Sequence, residues 1–148
     1  MIDFLHLDEM TSREAFELFR LRVDVFVAEQ QCPYNELDDI DIQPDTFHVL
    51  ARDTNGRLLG CARVFPTSTG SRFGRFVVAA QARGTGLGRE IVLGCIDFTR
   101  RWDGDLLIDA QSGLVGYYNK YGFVAEGEEF LDAGVAHRRM RLRRPVQK

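Results

Sequence analysis

The sequence predicts an α/β protein, and three features of its 148 residues lead to that prediction. The apolar run from Phe76 to Ala79 has the length and β-branched content of a buried strand. A loop with alternating glycines follows at Arg83 to Gly88. Apolar side chains then recur from Leu87 to Thr99 at the spacing of one helical stripe. A buried strand, a glycine loop and a helix are therefore expected at the centre of the chain.

The glycine loop is suited to bind a phosphate or a diphosphate. Gly84, Gly86 and Gly88 lack a Cβ atom, so the backbone can adopt positive φ angles and several N–H groups can converge on a ligand. The first N–H groups of the following helix have no intrahelical partner, and the helix dipole adds positive charge there. The alternative is a glycine-rich turn that binds nothing. A P-loop is not indicated, because Arg89 and Glu90 follow the last glycine, and the spacing differs from a dinucleotide fingerprint.

At these residues the sequence resembles the GCN5-related N-acetyltransferase (GNAT) superfamily. The family's acetyl-CoA signature places an Arg or Gln three residues before a Gly, with Gly or Ala two residues later, and Arg83, Gly86 and Gly88 match it. Val77-Val78 matches the strand that lies along the pantetheine arm. The resemblance implies the GNAT acyl-CoA N-acyltransferase fold, a mixed central sheet of about six to seven strands flanked by helices. In that fold the sheet splays between its two central parallel strands.

The composition fits a single domain over residues 1–148. A net charge of −3 argues against a protein that binds nucleic acid through bulk positive charge. The three cysteines have no C-x-x-C spacing, so they indicate neither a disulfide framework nor a zinc site, and a reducing cytoplasm suits them. The amino terminus has no signal-peptide pattern, and no apolar stretch is long enough to span a membrane. We therefore expect a cytoplasmic protein.

The amino-terminal third is predicted to contain a strand, a helix and an acidic segment. Residues Ile2 to Leu7 read as a short strand, and Thr11 and Glu14 have the spacing of a capping box that starts a helix. The apolar stripe of this helix includes Arg22, which either extends to the rim of the apolar surface or turns into a cleft. The acidic segment Glu36 to Asp45 is either a solvated loop or, with nearby aromatic residues, a wall for a cationic amine.

This region is also similar to the ElaA-like branch of the GNAT superfamily. The matching residues are Arg22, Val25, Phe26, Val27, Glu29, Gln30, Cys32, Pro33, Tyr34, Glu36, Asp38, Asp45 and His48. A related block, an arginine followed by Val-Phe and an acidic segment, occurs in acyl-homoserine-lactone synthases, which share the fold. Those enzymes are therefore an alternative family for this chain.

The remaining elements are predicted from turn residues and alternation. In chain order they are strands at 47–52 and 57–65 joined at Asn55-Gly56, a loop at 66–71, a strand from Leu106, a short helix from Ser112 to Gly122, and strands around 124–130 and 136–142. The last strand carries the sequence RRMRLRR and is expected to be an edge strand with a solvated basic face.

The resemblance implies a set of residues that bind acetyl-CoA, the expected co-substrate. Its pantetheine arm would enter between the splayed strands and form hydrogen bonds with the main chain of Phe76, Val77 and Val78. Asn119 is a candidate side-chain contact to the same arm. The diphosphate would lie on Arg83, Gly84, Thr85, Gly86, Leu87 and Gly88.

Acyl transfer from a thioester to an amine requires a deprotonated amine and a proton for the departing thiolate. Tyr118 matches the family's tyrosine position, and a phenol is a neutral donor with a pKa near that of a thiol, so we expect Tyr118 to be the general acid. The alternative is that this ring only packs under CoA. With no Ser/His/Asp or Cys/His pattern, direct attack in a ternary complex is favoured over an acyl-enzyme.

The general base is not fixed by spacing. The candidates are Glu29, Asp38, His48, Asp109 and His137, and the resemblance favours Glu29, His48 and His137, whose positions would line the acceptor side.

The expected acceptor is a primary amine of a small molecule or a peptide. The candidate acceptor contacts are Arg22, Tyr34, Asp38, Arg63 and Gln111. No metal, nucleic acid or membrane is expected as a partner, and the sequence leaves a homodimer open. Besides an acyl-homoserine-lactone-synthase-like enzyme, the alternative is a protein that binds CoA without turnover.

Overall fold

The computed structural model describes residues 1–29 and 36–145. The strands are β1 (Ile2–Leu5), β2 (Phe47–Arg52), β3 (Leu58–Pro66), β4 (Gly70–Val78), β5 (Asp105–Gln111), β6 (Val124–Asp132) and β7 (Val135–Leu142). The α-helices are α1 (Ser12–Arg22), α2 (Leu87–Phe98) and α3 (Val115–Asn119). A π-helical segment, Val23–Glu29, continues α1, and a 3₁₀ turn, Asp39–Ile42, lies in the acidic segment.

The strands form one seven-stranded mixed sheet in the order β1-β2-β3-β4-β5-β7-β6. The β4 and β5 strands are parallel, and the other neighbouring pairs are antiparallel. These features confirm the predicted α/β fold with a mixed sheet and a central parallel pair. The prediction that the basic last strand lies at an edge was wrong. The β7 strand pairs with β5 on one side and β6 on the other, and its arginines Arg139 and Arg141 pair with the carboxylates of Asp109 and Glu126.

Local sequence signals account for most element boundaries. The capping box is present, because the Glu14 N–H donates to Thr11 Oγ1 at 3.1 Å and the Thr11 N–H donates to Glu14 Oε1 at 3.0 Å. The β4 strand begins at Gly70, so the predicted loop from Pro66 to Ser71 is shorter than expected. The sequence there is polar and small, and only pairing with β3 and β5 makes it a strand.

The parallel strands β4 and β5 separate after a short ladder that ends at Arg72 and Leu107. Next to this point the register of β3 against β4 shifts between Cys61 and Arg63, and β4 carries one extra residue. The extra residue falls in the stretch that includes Arg75, whose φ of 48° is a conformation that non-glycine residues rarely adopt. A bulge of this kind bends its strand and increases the local twist. It therefore turns β4 away from β5 and opens a wedge in the sheet.

The bulge also changes which face of the sheet each β4 side chain occupies. Phe73 belongs to an apolar cluster with Ile91 and Tyr118, residues of α2 and α3. Val77 belongs to a second cluster with Leu18 of α1. Phe73 and Val77 are four positions apart, so a regular strand would place both on one face. Because of the extra residue, Phe76 and Val78 share the face of Phe73, and Val77 lies on the opposite face.

A buried ion-pair network ties the acidic segment to α1 and the sheet. The Arg22 side chain is 1% exposed; its Nε donates to Glu36 Oε1 at 2.7 Å and its Nη1 to Asp41 Oδ1 at 2.8 Å. Arg63 Nη1 donates to Asp38 Oδ1 at 2.7 Å and to Asp41 Oδ1 at 2.9 Å. Arg22 therefore does not extend to the rim, and these carboxylates do not belong to a solvated loop.

We predict that Arg22→Ala lowers the free energy of unfolding by about 3–5 kcal/mol, because it leaves the buried carboxylates of Glu36 and Asp41 without their principal cation. Urea unfolding at neutral pH measures the effect. The matched control is Arg20→Ala, which removes an exposed arginine from the same helix and is expected to change stability by less than about 0.5 kcal/mol. Equal losses in both variants would contradict the assignment.

The Asp41 carboxylate also predicts a pH dependence of stability. Burial disfavours its charged form, but the hydrogen bond and charge of Arg22, the Asp38 N–H and the charge of Arg63 outweigh burial and lower the pKa of Asp41 from 3.8 to about 2. The stability that its ionisation contributes is complete above pH 3.8 and is lost as the pH falls towards 2.

We therefore expect Asp41→Asn to be destabilised at pH 7, and the stability difference from the unmodified protein to narrow by about 2 kcal/mol between pH 4 and pH 2. Chemical unfolding at a series of pH values measures this difference. Asp39→Asn, at an exposed neighbouring aspartate, should show no such narrowing. A difference that stays constant down to pH 2 would contradict the prediction.

Candidate active site

The wedge between β4 and β5 is the mouth of a cavity of about 400 Å³. Parts of both strands, the start of the acidic segment, α3 and β7 contribute to its wall. The residues that line it include Asp38, Ile40, Arg63, Arg72, Phe73, Arg75, Phe76, Asp109, Gln111, Tyr118 and His137. Because the β4–β5 ladder ends at Arg72, the main chain of β4 from Phe73 to Val78 pairs with no strand of residues 1–29 and 36–145 on its β5 side.

The glycine loop lies between the end of β4 and α2, as predicted. Gly84 and Gly86 have φ angles of 79° and 91°, and Gly86 is the amino-terminal cap of α2. Within the described part of the chain, the main-chain N–H groups of Gly84, Gly86, Gly88 and Arg89 donate to no protein acceptor. A Cβ atom on Gly88 would lie 3.3 Å from the Tyr117 hydroxyl, so a glycine here lets α2 approach α3 closely. The loop therefore offers several N–H donors to an anion.

Arg83 of this loop forms a salt bridge with Glu29, the last residue of the π-helical segment. Arg83 Nη1 lies 2.6 Å from Glu29 Oε1, Nη2 lies 2.9 Å from Oε2, and Nε donates to the Val78 carbonyl at 3.1 Å. Both side chains are 44% exposed. The hydrogen bonds from Arg83 are the main reason that the pKa of Glu29 is lowered. Glu29 is therefore bound to Arg83 of the glycine loop and is not among the residues that line the cavity.

Tyr118 lies on the cavity wall and is 7% exposed. Its ring packs edge-on against Phe73, Tyr117 and Phe123. Burial, followed by the neighbouring Tyr117, raises the pKa of the Tyr118 phenol above its ordinary value. The hydroxyl group therefore remains protonated at neutral pH and can act as a hydrogen-bond donor towards the cavity.

The two histidines predicted to be catalytic occupy different environments. His137 lines the cavity, and its Nδ1 lies 2.7 Å from the Val135 carbonyl oxygen. Since a carbonyl oxygen only accepts, Nδ1 carries a proton in this contact. His48 is 0% exposed, its Nε2 lies 3.0 Å from the Asp41 carbonyl oxygen, and burial is the main cause of its lowered pKa. It is not among the cavity-lining residues.

The wall of the cavity carries charge pairs that could not be predicted from the sequence. Asp38 and Arg63 line it as a pair, and Arg75 Nη2 donates to Asp38 Oδ2 at 3.4 Å. Across the wedge, Asp109 Oδ2 lies 2.5 Å from Arg72 Nη2. No role was predicted for Arg72 or Arg75. The sequence signal that could have indicated one was the presence of two arginines next to a predicted buried strand.

The other predicted site residues lie in different parts of the structure. Phe76 and Gln111 line the cavity, whereas Val77 packs in the α1 cluster. Arg22 is enclosed by its carboxylates, and Asn119 is exposed at the end of α3, outside the cavity wall. Tyr34 lies outside the described residues.

Neither a metal cluster nor a membrane-spanning helix is found in residues 1–29 and 36–145. No group of three or more His, Cys, Asp or Glu side chains in this part of the chain is arranged to hold a metal ion. None of the helices in it is long and apolar enough to cross a membrane.

Comparisons with known proteins agree with this geometry. Residues 8–144 match the family described as Acetyltransferase (GNAT) domain. The chain is 30% identical to protein ElaA of Escherichia coli over 138 residues, 90% of each protein. The ElaA crystal structure covers 95% of this chain and 97% of its own, with a TM-score of 0.87 and 28% identity.

Two other solved structures are similar. An acyl-CoA N-acyltransferase from Pseudomonas aeruginosa has a TM-score of 0.87 and 34% identity, covering 95% of this chain and 98% of its own. A CoA-dependent acyl-homoserine lactone synthase, solved with SAM and isopentyl-CoA, has a TM-score of 0.76 and 19% identity, covering 97% of this chain and 84% of its own. The second likeness is one of fold alone.

Proposed function

The chain belongs to the ElaA-like branch of the GNAT acetyltransferase family, and from this premise we propose that it transfers the acetyl group of acetyl-CoA to a primary amine of a small molecule or peptide. One observation carries the proposal. The wedge between β4 and β5 is open, and beside it lies a loop in which the main-chain N–H groups of Gly84, Gly86, Gly88 and Arg89 donate to no acceptor in the described part of the protein. These are the two features that a bound thioester cofactor with a diphosphate group requires.

The residues around the wedge fit CoA in chemical type. The N–H groups of Gly84, Gly86, Gly88 and Arg89 suit the diphosphate, and the positive end of α2 strengthens their attraction for an anion. The pantetheine amides suit the main chain of β4 from Phe73 to Val78, where an added strand-like segment replaces the missing β5 ladder.

The proposed chemistry is a direct transfer. The amine nitrogen attacks the thioester carbonyl carbon, the new C–N bond forms, and the C–S bond breaks. The Tyr118 hydroxyl gives its proton to the departing sulfur, and its raised pKa keeps that proton in place until the thiolate forms. In this scheme Tyr118 is the general acid, as its position on the cavity wall supports.

His137 is the proposed acceptor of the amine's proton, either directly or through a water molecule. It lines the cavity, and its ring is held by the 2.7 Å contact of Nδ1 with the Val135 carbonyl oxygen. The other two predicted candidates are placed less favourably, because Glu29 is bound to Arg83 and His48 lies in the buried network. Acceptor binding is proposed to involve Asp38, Arg63 and Gln111, which line the same cavity.

We predict that Gly86→Glu weakens CoA binding by about a hundredfold or more, because it adds bulk and negative charge where the diphosphate would lie. Isothermal titration with CoA measures the dissociation constant. The matched control is Gly56→Glu, because Gly56 has a φ of 81° and, as at Gly86, a Cβ atom there would meet open space. This variant has the same backbone strain in the β2–β3 hairpin, outside the glycine loop. Retained affinity in Gly86→Glu would show that the loop is not the diphosphate site.

We predict that Tyr118→Phe lowers the rate of acetyl transfer by about a hundredfold or more while CoA affinity is retained, because the sulfur loses its proton donor. The measurement follows free thiol released from acetyl-CoA with a panel of primary amines. Tyr121→Phe is the control, since its hydroxyl contacts Tyr117 Oη at 3.3 Å and does not line the cavity. An unchanged rate would remove Tyr118 from catalysis, and no turnover with any amine would favour a protein that only binds CoA.

A further inference from the structure

The arginine of the CoA signature is already occupied by an anion from the protein itself. The two terminal nitrogens of Arg83 bind both oxygens of Glu29 in a bidentate pair. This is the same edge of the guanidinium group that would grip a phosphate. A diphosphate on the glycine loop and the Glu29 carboxylate therefore require the same donors.

We propose that Glu29 is an internal competitor for the CoA diphosphate, and that cofactor binding breaks the Glu29–Arg83 salt bridge. The inference rests on the proposed function, because it requires CoA to bind at the glycine loop. It replaces the predicted role of Glu29 as a general base.

The exposure of the pair makes such an exchange feasible. Both side chains are 44% exposed, and salt bridges in that environment contribute little to stability because water and salt compete with them. A diphosphate carries more charge than one carboxylate and would also receive the free N–H groups of the loop. It therefore displaces Glu29 at small cost.

A polar groove offers the released carboxylate a second position. Glu29 lines a cavity of about 280 Å³ between α1, the β2–β3 hairpin and the end of β4, together with Arg20 and Arg57. These two arginines are exposed and can attract the carboxylate. Glu17 and Asp24 also line the groove, but Glu17 lies 3.7 Å from Arg52.

The consequence is a limit on cofactor affinity. An internal anion at Arg83 weakens binding of every CoA form, including the free CoA left after transfer. Because differences in affinity appear mostly in the dissociation rate, Glu29 is expected to speed the release of that product.

The test is a double-mutant cycle on CoA binding. Isothermal titration with CoA is performed on the unmodified protein, Glu29→Gln, Arg83→Gln and the double variant. We expect Glu29→Gln to tighten CoA binding about two- to fivefold, and the same substitution to have no effect when Arg83 is already Gln. Asp24→Asn removes a charge from the same groove without touching Arg83 and should leave the affinity unchanged.

Each contrary result has its own meaning. Weaker binding by Glu29→Gln would overturn the competition, because Glu29 would then position Arg83 for the diphosphate. If Glu29→Gln tightens CoA binding equally in the presence of Arg83 and of Arg83→Gln, the competition is also overturned. The effect would then come from the negative charge of Glu29 acting at long range and not from its contact with Arg83. If the unmodified, folded protein binds no CoA, the proposed function fails and this inference fails with it. Circular dichroism of each variant checks that the substitution leaves the fold intact, which is expected because these side chains are exposed.

Discussion

The extra residue in β4 is the constraint on which the site depends. It ends the parallel ladder with β5, opens the wedge and moves Val77 to the opposite face from Phe73. Holding Arg75 at a positive φ costs on the order of 1–3 kcal/mol. Ion pairs offset part of this strain energy, because the Arg75 guanidinium lies 3.6 Å from the Glu36 carboxylate and 3.4 Å from the Asp38 carboxylate. The strained residue is therefore held by two carboxylates, one of which, Asp38, also lines the cavity.

The ion-pair network joins this bulge to the rest of the acceptor side. Arg22 comes from α1, Arg63 from β3 and Arg75 from β4, and they share the carboxylates Glu36, Asp38 and Asp41. A buried network of this kind adds little net stability, because desolvation offsets the attraction between its charges. What it provides is position, since each carboxylate has a fixed set of donors. The acceptor wall is thus placed by charge pairing as well as by apolar packing.

The sequence predicted what is local and missed what depends on distant partners. The strand, glycine loop and helix from Phe76 onward could be read from periodicity, and the capping box from two residues. The location of β7 between β5 and β6 has no local signature, because either strand of a terminal hairpin can face the sheet. The pairing of Glu29 with Arg83 joins residues far apart in the chain. The carboxylates of the acidic segment Glu36 to Asp45 likewise look solvent-exposed from the sequence alone, because the arginines that pair with them come from other elements of the fold.

The two halves of the site therefore differ in how they are encoded. The half that we propose for the cofactor consists of main-chain N–H groups in one short loop, so glycine spacing and a family signature are enough to find it. The half that we propose for the acceptor consists of side chains such as Asp38, Gln111 and His137, which only the pairing of β5 with β7 and the buried network bring together. The proposed acceptor is for that reason expected to depend on the side chains on the wedge wall, and the proposed cofactor on the backbone beside it.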